Sequence, residues 1–452
     1  MERNLGKRHD RNGRVGKLTK YAAVFACVVL CVSTAHTQVV TLQNLANYND
    51  AIYDAKIKTP LLYAAANDML GNPNAMLAPA VADLDRNVAL VLEFDDLLAN
   101  YRQFRVKFIH CDANWQKSVL NDIEFSLEFN DYPLNDYTNS GAVKVPYYHY
   151  SFQLPKLKLP GNYLAVVYTD RRPNAVVLTK RFCYYQNRIR LNASGRMAVD
   201  NAIYRTHQQL DFDIDFKNYD VVAPAEDFKI VIRQNRRWDK TLKNLRPSSL
   251  RMFESRVEYL LFDNTTTMPA GNEFRYFDGR STFTAGNFVQ AVQRSDDYNT
   301  LFVMPDGSRN RRTFMQSDDF NGGFIVDNRE SGIGATEADY LKVIFTLKTP
   351  ELPDRDVYVN GAFNEWLRND LNKMTYDAAT ETYQAAIILK QGVINYNYGT
   401  LNPTTGEWNE VDLEGSFSET ENDYEIFVYH RPPASRAELL VGYSLVEVNR
   451  RR

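Results

Sequence analysis

The chain has 452 residues, with 53 Lys and Arg against 56 Asp and Glu, a net charge of −3 and an apolar fraction of 44%. That length suits two to four domains, and that apolar content is enough for real cores, which argues against wholesale disorder. The near-neutral balance gives no support to a nucleic-acid partner. The unusual numbers are 28 Tyr and 25 Phe, which lean toward β structure.

The first forty residues change the charge count. Residues 1–20 carry seven basic groups (Arg3, Lys7, Arg8, Arg11, Arg14, Lys17, Lys20) and two acids, Glu2 and Asp10. An apolar run follows, Tyr21 to Val32, and then small and polar residues from Ser33 to Thr37. The run is too short to cross a bilayer, which needs ~20 helical residues. Basic segment, short apolar core and small-residue end predict a secretory signal peptide over residues 1–37, cleaved after Ala35 or just before Gln38. The mature chain then holds 46 basic and 54 acidic residues, a net charge near −8. An exported, mildly acidic protein of this kind should not cling to anionic lipid through bulk charge.

Strand patterns recur through the mature chain. Residues 66–84, rich in Ala, Asn and Pro, read as a long loop. Val88 to Phe94 is a mostly apolar run expected as a buried strand. Within Tyr101 to Ile109, Phe104, Val106 and Phe108 share one face while Arg105 and Lys107 share the other. Gly161 to Tyr168 follows a Pro-Gly turn, and Leu210 to Phe216 alternates apolar residues with Asp. Phe228 to Arg233 and Tyr340 to Leu347 continue the series. Short strands separated by turn signals predict sandwiches rather than βαβ units. The expected division is an N-terminal β-sandwich domain at 38–186, a middle β-rich domain at 187–338 and a C-terminal sandwich at 339–452. The second cut rests on the small-residue stretch Ser331 to Thr336.

Few residues suggest chemistry. Cys27 and Cys31 leave with the signal peptide, so Cys111 and Cys183 remain. In an oxidising compartment these two are a candidate disulfide, with two buried thiols as the alternative. His110-Cys111-Asp112 places an imidazole beside a thiol, but neighbours on a strand point to opposite faces. Asp211, Asp213 and Asp215 resemble the start of a calcium loop, yet Phe216 stands where an EF-hand needs Gly. There is no Gly-rich phosphate loop, no GxSxG and no HExxH. The expectation is a non-enzyme with no catalytic residue, cofactor or metal.

The C-terminal region is more specific. Val357 to Trp366 contains Gly-Ala-Phe-Asn-Glu-Trp, and Tyr376 to Ile388, Gly392 to Tyr398 and Gly406-Glu-Trp408 follow. This order resembles the glycogen-binding, early-set type of immunoglobulin-like sandwich. The resemblance implies sugar stacking on Trp366 and Trp408, since a flat indole complements the apolar face of a sugar. The family's Lys position falls on Asn397, a departure. The structural alternative is that Phe363 and Trp366 pack the turn onto the sandwich.

Several segments together resemble the plug proteins of the type IX secretion system. They are Leu92 to Leu97, Phe108 to Trp115, Ser118 to Glu124, Tyr147 to Tyr150 and Leu159 to Tyr163 in the first region. Ile232 to Trp238, Gly271 to Asp278, Asp319 to Phe324 and Glu414 to Arg431 follow in order. The resemblance implies an all-β protein of tandem immunoglobulin-like, early-set sandwiches in the periplasm, at the inner face of the outer membrane. It implies one partner, the large outer-membrane translocon barrel, whose periplasmic mouth the protein would plug. Membrane association would be indirect, through that partner. Loops dense in polar and aromatic groups, Asn130 to Ser140 or Gly271 to Arg280, are the expected contacts. The competing readings are a periplasmic or surface carbohydrate-binding module and an integral outer-membrane barrel, the latter disfavoured by uneven strands.

Overall fold

The computed structural model describes residues 39–450, apart from 67–71, 99, 172–173 and 261–263. The expected signal peptide lies outside the described residues. From Val39 onward the chain forms one compact unit. It is all-β, and none of its sheets closes into a barrel.

The first sandwich is built by alternation. Its larger sheet runs in the order Ala51–Ile52, Val176–Tyr185, Gly161–Thr169, Phe104–Cys111 and Tyr132–Leu134, with Val81–Asp83 parallel to Val176–Tyr185. Its second sheet runs Ile57–Ala66, Val88–Asp96, Tyr148–Gln153 and Tyr137–Asn139. Phe104, Val106 and Phe108 point inward against Leu90, Leu92 and Phe94. Arg105 and Lys107, on the opposite face, pair with Asp131 and Asp122. The stretch read as one long loop at 66–84 instead contains a helical turn, Pro73–Leu77, and strand Val81–Asp83, because Val81 and Ala82 find buried positions.

Strand Gly161–Thr169 is buried along almost its whole length on both faces. Tyr163, Ala165 and Val167 fill the first sandwich. Leu164, Val166 and Tyr168 face the other way, into a second apolar cluster with Val231, Phe427, Tyr429 and Leu440. A near-continuous apolar run thus marks a strand covered on two sides, here by a second sandwich.

That second sandwich opposes two sheets. One runs Arg190–Met197, His207–Asp215, Arg256–Tyr259 and Ser249–Arg251, with Thr267–Pro269 also on His207–Asp215. The other runs Thr241–Lys243, Lys229–Gln234, Asn422–His430 and Leu439–Val448. The third sandwich contains Arg275–Asp278, Gly392–Leu401 and Phe324–Val326, with Asp356–Asn360 and Trp408–Asn409 added to Gly392–Leu401. Its facing sheet runs Val289–Gln293, Asn299–Val303, Tyr340–Lys348, Thr382–Lys390 and Thr375–Asp377.

The expected cut at 338 therefore does not follow the sheets. Strands between 275 and 326 belong to the third sandwich, while the last hairpin, 422–448, returns to the second. The third sandwich is inserted into the second. The small residues at 331–336 do lie in a connection, part of it the helical turn Gly334–Glu337, but composition does not say which sheet the chain joins next.

A charged seam joins the first and third sandwiches. Asp95 is buried and its Oδ2 accepts from Lys390 Nζ at 2.6 Å and from Tyr340 Oη at 2.6 Å. Its Oδ1 lies 2.8 Å from His149 Nδ1. Lys390 also donates to Ala335 O at 2.8 Å and stands over the Tyr147 ring. Burial alone would raise the Asp95 carboxyl, but Lys390 and His149 outweigh it and hold it below the usual range.

Two outcomes follow. A fragment covering 187–338 lacks half of the second sandwich's second sheet, so it should show no cooperative unfolding by circular dichroism, whereas 187–452 should keep it. Lys390→Met leaves Asp95 buried without its ammonium and should cost ~3–5 kcal/mol in urea unfolding at pH 7. A depressed carboxyl stabilises above its unfolded pKa, so the difference between wild type and variant should shrink as pH falls below about 4.

Candidate functional site

The sequence-predicted residues fall in three places. Cys111 and Cys183 both pair in register with Asn162 of the strand that lies between theirs. Two strand steps separate their Cα atoms by roughly 10 Å, beyond the ~7 Å limit for a disulfide. The candidate disulfide is thus corrected: both are free, buried thiols. Cys183 Sγ donates to Asn162 Oδ1 at 3.2 Å, and the same oxygen accepts from Tyr429 Oη at 2.9 Å, across to the second sandwich. Burial pushes the Cys111 thiol up to about 12 and the Cys183 thiol higher still. His110 lies on the opposite face, edge-on to Tyr163 at 4.9 Å. Burial lowers its pKa to about 4, so the ring is neutral. Asp211 and Asp213 are matched by Arg196 and Arg256. Among the described residues no group of three or more metal-ligating side chains converges.

Trp366 and Trp408 belong to a charge cluster rather than to an open platform. Trp366 follows Glu365 in the left-handed region, at φ +57°. Its ring carries the Arg237 guanidinium 3.8 Å from its centroid, and Gly322 approaches so closely that a Cβ there would lie 2.6 Å from Cη2. The Trp408 ring carries Arg368 at 4.2 Å and packs on Gly399. Asp239 accepts from Arg237 and from Arg368, each at 2.7 Å. Glu410 accepts from Arg237 at 2.6 Å, Lys240 at 2.5 Å and Trp408 Nε1 at 3.1 Å. Burial would raise the Glu410 carboxyl, but Arg237 and Lys240 hold it well below the usual range. Guanidinium groups thus occupy the indole faces that a sugar would need. Asn397, at the position of the binding lysine, is buried. Of the two readings, sugar stacking gives way to packing, with an arginine on each indole.

The expected contact loop 271–280 is also mostly interior, with Glu273, Phe274, Phe277 and Asp278 all buried. In 130–140, Asn130 is buried and bonds both backbone groups of Phe108, at 2.9 and 2.8 Å.

Sequence reasoning missed the exposed apolar segment just before it. Val119, Ile123, Leu127 and Phe129 project outward, Ile123 78% exposed and Phe129 83%. Yet the backbone beneath them is held. Phe125 is buried, Glu124 accepts from the Asn121 N–H at 2.7 Å, and Lys158 Nζ donates to Ile123 O at 2.7 Å. Lys107 pairs with Asp122 at 2.6 Å. Part of this segment is the Ser118 to Glu124 motif, so a signal was present. Periodicity did not reveal which of its apolar residues turn outward.

Residues 57–186 match the family profile described as type 9 secretion system plug protein, first domain. This stretch is thus similar to the first domain of type IX secretion system plug proteins. The fold also resembles the crystal structure of a hypothetical protein from Parabacteroides merdae. The two are 28% identical with a TM-score of 0.83, over 89% of this chain and 100% of the other. The search of curated proteins gives no match. The plug match covers the first sandwich, including the 119–129 segment and the strand that packs on the second sandwich.

With both thiols buried and strands apart, a thiol reagent should modify neither in the folded protein and both in denaturant. Reducing agent should leave the melting temperature unchanged.

Proposed function

We propose that the protein is a non-enzymatic, periplasmic component of the type IX secretion system that docks on the outer-membrane translocon barrel and closes its periplasmic mouth. The match of residues 57–186 to the plug first domain carries this reading. The plug family is not a known enzyme family, and it suggests a place near the outer membrane. Among the described residues no helix is long and apolar enough to cross a membrane.

The physical arrangement supports it. A plug must resist deformation, and each pair of neighbouring sandwiches here shares buried contacts. It also needs a contact surface that exists before the partner arrives. The 119–129 segment supplies four outward apolar residues on a fixed backbone, so little ordering entropy is lost on docking. Exposed apolar groups of this kind mark interaction sites. An interface that must release again is of standard size and fairly polar around such anchors.

Affinity purification of the mature chain from its native envelope in gentle detergent tests the reading. Recovery of a very large outer-membrane barrel protein is expected, and its repeated absence overturns the reading. The double variant Ile123→Ser, Phe129→Ser should lower that recovery roughly tenfold or more, as loss of anchor residues does, with the melting temperature kept.

A further inference from the structure

A cavity of about 410 Å³ lies where the three sandwiches meet. That is within the ~300–1,000 Å³ range of small-molecule sites. Every sandwich supplies arginine to its wall: Arg181 from the first, Arg233 and Arg236 from the second and Arg368 from the third. The rest of the wall includes Leu61, Met76, Phe324 and Trp366.

The charges around this cavity do not balance. Lys180 is matched by Glu365 at 2.7 Å, and Arg233 by Glu425 at 2.6 Å. Asp239 and Glu410 are two carboxylates shared among Arg237, Lys240 and Arg368. Among the described residues Arg181 and Arg236 form no ion pair with a carboxylate, though Asp50 acts on Arg181 at longer range. The Arg181 side chain donates to Tyr48 O at 2.7 Å and Asn49 Oδ1 at 2.5 Å. Arg236 donates to Phe320 O at 2.9 Å and to Leu77 O. Asp50, also on the wall, accepts from the Arg181 backbone N–H at 2.6 Å. Asp423 and Glu425 act on Arg236 only at longer range. Burial, reinforced by Arg233, lowers the pKa of both unpaired guanidinium groups.

The turn also aims Arg236 at the cavity. Asn235 and Arg236 both have positive φ, +50° and +61°, at the start of the six-residue connection, 235–240, between Lys229–Gln234 and Thr241–Lys243. Asn tolerates that region and Arg does so at a cost. Beside the cavity, two guanidinium nitrogens lack any acceptor: Arg237 Nη1, on a side chain 1% exposed, and Arg368 Nε. Of the two, Arg368 lines the cavity, so an anion there lies near a costly unpaired donor.

We propose that this junctional cavity binds a small organic anion, a carboxylate on a flat apolar body, with its charge met by Arg236 and Arg181 and its body against Leu61, Met76 and Phe324. The planar guanidinium matches a carboxylate in two-point geometry. The flat body suits a wall of Phe, Leu and Met. Such a ligand touches all three sandwiches and so stabilises the folded body by mass action.

The test uses the mature full chain and its own tryptophans, since Trp238 and Trp366 line the cavity. 2-Naphthoate is titrated against 2-naphthamide, its uncharged counterpart. Naphthoate should quench saturably below about 1 mM and raise the melting temperature, with the amide at least ~10-fold weaker. Arg236→Gln and Arg181→Gln, on different sandwiches, should each weaken naphthoate ~10-fold or more, as loss of a charge-assisted bond does. Either variant suffices if the other fails to fold. Equal binding of acid and amide, absence of saturation, or normal binding by a folded variant overturns the proposal. So does displacement by inorganic phosphate at equal concentration, which would make the site one for a bare anion.

Discussion

The whole body depends on one pairing, that of Asn422–His430 with Lys229–Gln234. It fixes the last hairpin onto a strand almost two hundred residues earlier and so encloses the third sandwich as an insertion. Contacts this distant in sequence are slow to form, because loop closure must precede their reward. The same sheet then offers Phe427 and Tyr429 to the outer face of Gly161–Thr169, which covers the first sandwich as well. One strand pair therefore determines how all three units are held.

The two seams do different jobs. The seam between the first and second sandwiches is apolar, with Leu164, Val166, Val231 and Phe427 in it, and a buried polar bridge runs through Asn162. Apolar contact is strong but non-directional. The seam to the third sandwich is ionic, with Asp95 held by Lys390, Tyr340 and His149. Buried ion pairs add little net stability against apolar replacements, yet breaking one is costly. The apolar seam supplies the adhesion and the ionic seam supplies the register.

Much of the strand content was legible. Phe104, Val106 and Phe108 alternate with Arg105 and Lys107, and Leu210, Phe212 and Ile214 alternate with Asp, so period-2 reading placed both strands and their inner faces. The insertion was not legible, since local turn chemistry at 331–336 is the same whichever sheet follows. The roles of Cys111, Cys183, Trp366 and Trp408 were not legible either. Whether two thiols meet depends on how many strands lie between them, and whether an indole face is free depends on which arginine reaches it. Both are properties of tertiary register that no window of sequence contains.

The tryptophans carry the argument furthest. An indole in the Gly-Ala-Phe-Asn-Glu-Trp turn is positioned by its backbone to present a flat face, and in this chain that face meets Arg237. The arginine in turn recruits Glu410 and Asp239, which hold Lys240, Arg368 and Trp408. A surface suited to an uncharged sugar has become an internal charge cluster that ties the second sandwich to the third. Because its cations outnumber its carboxylates, the cluster leaves positive potential at the junction of the three sandwiches. The geometry that removes one ligand class from Trp366 is thus what favours another.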